Sequence, residues 1–250
     1  MKKRNFIIIL FVVIALLVVF LFVFLNKNNI DYLIFDNTLN LKYDNGKFSL
    51  ASYDDLVNKT YSSFFNGEFI GYYEIYGIDQ NNEFYMTNEN NEDAYSFEHP
   101  YMFVTNGVEV LEFEENDATI DDLSYLTYDF DKYFIEDIDN LDIFKKISYD
   151  IDLDNELEDI YYASYYDMDD DNSFSLVFLV KNNKVYLMGE SSLFSSYDEE
   201  EAFYSIDNYK LMYLLKIDGS IKMVVGMQST DITYYQIYSF DNDLIQEYGG

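Results

Sequence analysis

A run of twenty apolar residues near the start of the chain restricts its fold more than any other feature. The run extends from Phe6 to Leu25, after a basic start and before the polar pair Asn26-Lys27. At a rise of about 1.5 Å per residue, a helix of this length spans roughly 30 Å, the thickness of a bilayer's hydrocarbon core. Lipid offers the backbone no hydrogen bonds, so a spanning segment of this kind has to be helical. We therefore predict a transmembrane signal-anchor helix at residues 6–25.

The alternative for this run is a cleaved secretory signal. Such a signal has an apolar region of about 7–15 residues and small residues at its cleavage site, whereas this run is longer and ends in Phe22-Val23-Phe24-Leu25. Basic residues beside a membrane helix stay in the cytoplasm, so residues 1–5 are predicted to form a cytoplasmic tail. The bulk of the chain is then expected outside the cell, on a single-pass protein that contacts the membrane through residues 6–25.

The composition is strongly acidic. The chain has 47 Asp and Glu against 15 Lys and Arg, with a formal net charge of −32. A polybasic surface for nucleic acid is therefore excluded, and the expected partner is a cationic ligand, a metal ion or an unknown protein. The chain has no cysteine, which excludes both disulfides and a lipidated cysteine anchor.

Short strands and tight turns dominate residues 26–147. The chain is 20% aromatic, and aromatic and β-branched residues favour strands. Asn-Gly, the strongest short hairpin signal, occurs at residues 45–46, 66–67 and 106–107, each time between segments that read as strands. These signals predict an N-terminal β-meander region. Apolar residues at three- and four-residue steps behind Thr119-x-x-Asp122, a variant capping box, predict a helical segment near 119–147.

Strands resume in residues 148–250, the predicted C-terminal β region. The run Leu176-Val177-Phe178-Leu179-Val180 is continuously apolar, as expected for a strand that is covered on both faces. The fold class predicted for the outer part is mainly β, or β-rich α+β, on a single N-terminal transmembrane helix. One propeller-like domain and two packed β domains are both compatible with this pattern.

A loop with the spacing of a calcium site lies at the start of this region. Carboxylates recur at Asp150, Asp152, Asp154 and Glu158, in the pattern D-x-D-x-D-N-x-x-E. Ca²⁺ takes six to eight oxygen ligands from a chain that folds around it, and a backbone carbonyl, here that of Glu156, commonly contributes one. Asn155 stands where the chain has to turn sharply, and asparagine tolerates the positive φ that such a turn requires. We predict a calcium site, with a solvated acidic turn as the alternative.

The loop resembles the calcium loop of FG-GAP or VCBS repeats, the blades of integrin-α-like β-propellers. That resemblance implies propeller-blade-like sheet, although Asn155 and Glu158 stand where the repeat has Gly and Asp. Residues 153–157 align without gaps to residues 217–221, 64 positions later, where the turn is kept as Gly219 and the acidic ligands are lost. We therefore predict two blade-like units, at residues 148–188 and 209–250. The chain as a whole resembles uncharacterised membrane-anchored proteins of low-GC Gram-positive bacteria, a resemblance that brings no activity.

Catalytic signatures are scarce in this sequence. His99 is the only histidine, and the chain carries no Walker loop, GxGxxG, G-x-S-x-G or H-E-x-x-H pattern, so most Ser-His, zinc and nucleotide chemistry is excluded. The predicted function is a membrane-anchored extracytoplasmic binding or interaction module, not an enzyme, with a Ca²⁺-stabilised loop. The alternatives are an envelope assembly or structural protein and an anchored carboxylate-dependent hydrolase, because paired acids leave no fixed spacing in a sequence.

Overall fold

The computed structural model describes residues 30–36, 39–65, 67–78, 84–88, 93–94, 101–123, 143–167, 172–194, 208–228 and 233–249. The predicted cytoplasmic tail and transmembrane helix lie outside these residues. Within them, no helix has the length and apolar character needed to cross a bilayer.

Three antiparallel sheets account for nearly all of the described structure. The first sheet has the order β3-β2-β1-β8-β4-β5-β6-β7. Its strands are β1 (Asp31–Phe35), β2 (Leu39–Asp44), β3 (Lys47–Leu50), β4 (Lys59–Phe65), β5 (Glu68–Ile78), β6 (Phe84–Asn88), β7 (Asp93–Ala94) and β8 (Tyr101–Val104). A one-turn helix, α1 (Tyr53–Leu56), connects β3 to β4.

The middle and outer sheets have five strands each. The middle sheet has the order β18-β17-β16-β15-β9, and the outer sheet has the order β10-β11-β12-β13-β14. The middle strands are β9 (Glu109–Leu111), β15 (Asn208–Ile217), β16 (Ser220–Gln228), β17 (Thr233–Phe240) and β18 (Leu244–Gly249). The outer strands are β10 (Asn116–Asp117), β11 (Ile143–Tyr149), β12 (Glu158–Asp167), β13 (Asn172–Lys181) and β14 (Lys184–Phe194). The mainly β class is therefore confirmed, while the propeller-like arrangement stays a prediction.

The middle sheet has a hydrophobic core on each of its faces. Successive side chains of a strand point to opposite faces, and β15 shows this directly. Tyr213 and Leu215 pack with Leu33 and Phe35 of the first sheet, whereas Leu214 packs with residues of the outer sheet such as Ile160. The three sheets are thus stacked as layers, with the middle sheet buried between the other two.

The apolar run in β13 is buried on both faces, as its sequence predicts. Val177 and Leu179 belong to the core shared with the middle sheet. Leu176, Phe178 and Val180 belong to a second core on the far face, where Leu123 packs against them. All five side chains are at most 5% exposed, so the strand needs apolar residues at every position.

The Asn-Gly turns do not all form hairpins. Asn45 and Gly46 adopt φ values of 51° and 79°, as a type I′ turn requires, and they connect β2 to β3 as predicted. The predicted hairpin at residues 106–107 is wrong, because β8 pairs in the first sheet and β9 in the middle sheet. Asp31 explains the departure, since its buried carboxylate accepts hydrogen bonds from Thr105 Oγ1 at 2.8 Å and Gly107 N at 3.1 Å. These bonds hold the turn against β1 while the chain passes to another layer.

The predicted meander is also interrupted by β8. This strand pairs with β1 on one side and with β4 on the other, so it separates two groups of strands that are otherwise sequential. Strands that follow each other in the chain usually pair with each other. β8 departs from this tendency, and it supplies Met102 and Val104 to one core and Phe103 to another. Burial of both faces therefore places β8 at the centre of the first sheet.

Only the two ends of the predicted helical segment lie within the described residues. The Asp122 carboxylate accepts hydrogen bonds from Thr119 N at 2.7 Å and from Thr119 Oγ1 at 2.9 Å, and a 3₁₀ turn follows at Ile120–Leu123. Residues 124–142 lie outside the described structure. The prediction is wrong for residues 143–147, which belong to β11 and pair with β12, and strand pairing there buries Ile147 against Ile160.

Candidate metal centre

The predicted metal loop connects β11 to β12 as an irregular eight-residue turn. Tyr149 pairs with Glu158 at its base, so the loop closes a hairpin. Leu153 and Asn155 adopt positive φ values of 64° and 70°, so the backbone is left-handed at two positions of the loop. Ile151 is only 1% exposed and packs in the core between the middle and outer sheets. The loop is therefore anchored by one apolar side chain while its acidic residues gather above it.

Three of the predicted ligands come together. Asp150, Asp152 and Glu158 each offer a carboxylate oxygen within 4.8 Å of the other two. Glu158 is 2% exposed, and its Oε2 accepts a hydrogen bond from Ile151 N at 2.7 Å. Asp150 Oδ2 accepts one from Asn155 N at 3.0 Å. Backbone donors of the loop thus orient two of the three carboxylates.

Two oxygens of this cluster have no partner. Asp150 Oδ1 and Asp152 Oδ1 are buried and accept no hydrogen bond from the residues that the structure describes. Buried polar atoms are nearly always satisfied in folded proteins, and an exception points to a water or an ion. These two atoms are therefore the strongest local indication of a cation site.

A lysine that sequence analysis did not single out also lies in this cluster. Lys181 Nζ donates to Asp152 Oδ2 at 2.6 Å, to Glu158 Oε1 at 2.7 Å and to Asp154 Oδ2 at 2.9 Å. Burial lowers the pKa of Lys181, but these hydrogen bonds outweigh burial and raise it above its ordinary value. The hydrogen bond from Lys181 is the main cause that lowers the pKa of Asp154. The protonated side chain of Lys181, at the end of β13, thus lies among three carboxylates of the loop and its base.

Strand pairing brings Lys181 to the loop. Asp159 pairs with Val180. The adjacent residues, Glu158 at the start of β12 and Lys181 at the end of β13, therefore lie side by side at the same end of the outer sheet. Their separation of 23 positions hides this contact in the sequence. The only available signal is that both residues flank predicted turns, and it does not specify the register.

The other two predicted ligands, Asp154 and Glu156, are not part of the group of three converging carboxylates. Asp154 joins the cluster through Lys181, and its side chain is 43% exposed. Glu156 is exposed and donates its backbone N–H to Asp154 Oδ1 at 2.8 Å, so its proposed carbonyl contact stays a prediction. The donor set of Asp150, Asp152 and Glu158 fits Ca²⁺, which prefers carboxylate oxygens. Lys181 is the feature that a bound ion would have to displace.

The aligned hairpin between β15 and β16 has a shorter turn and the opposite charge. Ile217 pairs with Ser220 across a two-residue turn, whereas eight residues separate Tyr149 from Glu158. Gly219, aligned with Asn155, also has a positive φ, at 77°. Lys222, aligned with Glu158, is 5% exposed and forms an ion pair with Glu247 of β18. Lys222 thus places a buried cation near the start of β16, where Glu158 places a buried acid at the start of β12.

Comparison with protein-family models, curated proteins and solved structures found no match to this chain.

Proposed function

We propose that this protein is a single-pass, membrane-anchored extracytoplasmic binding or interaction module, and that Ca²⁺ stabilises its loop at residues 150–158. The observation that carries the calcium part is the pair of buried, unpartnered oxygens, Asp150 Oδ1 and Asp152 Oδ1. The charge balance supports it, since four carboxylates face the single ammonium of Lys181. The anchor at residues 6–25 is proposed from the apolar sequence alone.

Asp150, Asp152 and Glu158 would hold the ion, and Asp154 shares the Lys181 ammonium with Asp152 and Glu158. Bound Ca²⁺ supplies positive charge that relieves repulsion between these carboxylates and ties the loop to the base of the β11–β12 hairpin. Extracellular modules bind Ca²⁺ with Kd values of about 10⁻⁴–10⁻³ M. At one to ten times Kd, binding adds about 0.4–1.4 kcal/mol to the free energy of unfolding.

Thermal melting of the full-length chain in detergent micelles tests the calcium part. We expect a higher midpoint in millimolar Ca²⁺ than in chelator, and a loss of that difference in Asp152→Asn. Glu156→Gln is the matched control, because it changes an exposed side chain of the same loop and keeps the backbone carbonyl. If the wild-type midpoint is the same in Ca²⁺ and in chelator, the calcium part is refuted.

The location is tested separately in a Gram-positive host. The chain should remain with the membrane after an alkaline wash, and protease added to intact, wall-free cells should digest the part that follows residue 30. Replacing the Phe6–Leu25 segment with a cleavable signal should release the chain into the medium. Recovery of the wild-type chain in the soluble fraction would contradict the anchor and leave the calcium test unaffected.

A further inference from the structure

One face of the first sheet continues from the buried core out to β5 and β6. Residues that pair directly across neighbouring antiparallel strands point to the same face. Val104 of β8 packs in the core shared with the middle sheet. It pairs with Ser62 of β4, which in turn pairs with Tyr72 of β5. Tyr72 therefore lies on the face that is turned toward the middle sheet, two strands further out than Val104.

Aromatic side chains line this outer part of the face and are open to solvent. Tyr72 and Tyr76 of β5 are each 47% exposed, and Tyr85 of β6 is 37% exposed. The Tyr76 and Tyr85 rings stack with their centroids 5.9 Å apart and an angle of 18° between their planes. Phe69 is also exposed, and its ring packs edge-on against that of Tyr72. Contiguous exposed apolar groups mark an interaction surface, whereas isolated ones are ordinary.

A carboxylate lies within this aromatic row. Glu74 is exposed and pairs with Thr60 of β4 and Thr87 of β6. Alternation along β5 places Glu74 on the same face as Tyr72. Within the part of the chain that the structure describes, Glu74 has no ion-pair partner. The face thus combines exposed aromatic rings with a negative charge that a partner can neutralise.

Charge and ring chemistry together select the kind of partner. The chain has a formal net charge of −32, so a second copy of it, or an anionic lipid surface, would be repelled. An arginine guanidinium is planar and cationic, stacks on aromatic rings and pairs with a carboxylate through two parallel hydrogen bonds. A lysine ammonium is a more strongly hydrated point charge and has neither planar property. Arginine therefore fits both kinds of group on this face.

We propose that the face formed by Tyr72, Glu74, Tyr76 and Tyr85 docks an arginine-bearing segment of a partner protein. Guanidinium groups stack on the exposed tyrosine rings, and one of them forms a bidentate ion pair with the Glu74 carboxylate. The four side chains stand on paired strands, so the surface is formed before the partner arrives. This inference rests on the binding module proposed above and names the class of its partner, and it uses no residue of the calcium loop.

Fluorescence anisotropy of a labelled peptide of alternating arginine and serine tests the proposal, with the full-length chain in nonionic detergent micelles. We expect saturable binding, and at least fivefold weaker binding of the matched lysine–serine peptide. Glu74→Gln should weaken binding of the arginine peptide about three- to tenfold, because it removes the charge and keeps the side-chain shape. Glu156→Gln makes the same charge change at an exposed site of the calcium loop and should leave the Kd unchanged.

The aromatic part is tested by Tyr72→Leu/Tyr76→Leu, which should weaken binding about fivefold or more. Tyr234→Leu is the control, because Tyr234 is an exposed tyrosine of the middle sheet.

The proposal is overturned if the arginine and lysine peptides bind equally or neither binds, or if Glu74→Gln and Glu156→Gln have equal effects. Binding of a neutral chito-oligosaccharide in place of the arginine peptide would also overturn it and identify a sugar site. The Ca²⁺ shift in the melting midpoint should persist in Glu74→Gln, so failure of this face and failure of the calcium loop are distinguishable.

Discussion

Replacing Lys181 with methionine removes the ammonium from the acidic loop and keeps most of the side-chain volume. Its Nζ donates to Asp152, Asp154 and Glu158 at 2.6–2.9 Å. Removing one member of a buried ion pair costs about 3–5 kcal/mol, because the remaining charge stays buried without a partner. Glu158 meets that condition at 2% exposed, whereas the side chains of Asp152 and Asp154 are 20% and 43% exposed, so water compensates part of the loss. We expect the free energy of unfolding to fall by about 2–4 kcal/mol.

The assay is thermal melting followed by far-ultraviolet circular dichroism, in chelator and in Ca²⁺. For a chain of this size the expected loss lowers the midpoint by about 5–15 °C. Lys184→Met is the matched control, because Lys184 follows the same turn and its side chain is 61% exposed, with a 3.7 Å contact to Asp243 and a cation–π contact at 4.1 Å from the Tyr186 ring centroid. An exposed pair of this kind contributes at most about 1 kcal/mol.

Melting in Ca²⁺ shows whether Lys181 competes with the ion for the carboxylates or only stabilises the fold. With the ammonium gone, Ca²⁺ meets no competitor, so it should raise the midpoint of Lys181→Met more than that of the wild type. An unchanged midpoint for Lys181→Met in chelator would refute the structural role of the ammonium. Equal Ca²⁺ shifts in the two proteins would show that Lys181 and the ion do not share the site.

Leu153→Gly should leave the free energy of unfolding unchanged or raise it by about 1 kcal/mol. Leu153 is 45% exposed and has a φ of 64°, in the left-handed region that disfavours residues with a side chain. A clear loss of stability in a denaturant titration would contradict this. Gly107→Ala should cost about 2–4 kcal/mol in the same titration, since its Cβ would lie 2.2 Å from the Asp31 carboxylate oxygens. For pH dependence, the folded-state pKa of Asp154 is lowered from 3.8, chiefly by the hydrogen bond from Lys181. The stability that ionised Asp154 contributes through this hydrogen bond is therefore fully present above about pH 3.8, and it is lost as the pH falls through the lowered pKa. Acid titrations of unfolding should consequently be shallower in Lys181→Met than in wild type, and identical profiles would argue against this coupling.

Local signals in the sequence are reliable where they describe a single turn or strand. Asn45-Gly46 predicts a type I′ turn because both residues tolerate positive φ, and the structure has that turn. Asn106-Gly107 marks a turn equally well, but the residues that pair on either side depend on Asp31, which is 75 positions away from Asn106. Turn chemistry is local and strand pairing is not, so the first was predictable and the second was not.

The candidate metal centre likewise has a part that the sequence predicted and a part that it did not. The spacing of Asp150, Asp152, Asp154 and Glu158 predicted that all four converge, because a loop can bring alternate residues to one point; three of them do, and Asp154 joins them only through Lys181. Lys181 could not be predicted, since its place opposite Glu158 depends on the register between β12 and β13. A one-residue slip in register would move a strand's side chains to the opposite face, so Lys181 lies opposite Glu158 in the observed register alone.

The sequence by itself determined the mainly β class, the doubly buried apolar strand at residues 176–180 and the acidic loop, because each follows from alternation, composition or close spacing. The tertiary structure alone decided which strands share a sheet, that the middle sheet lies between two others, and that a lysine lies among the loop carboxylates. Those features depend on contacts between residues far apart in the chain, and the burial energy that selects them appears only when all three sheets are packed.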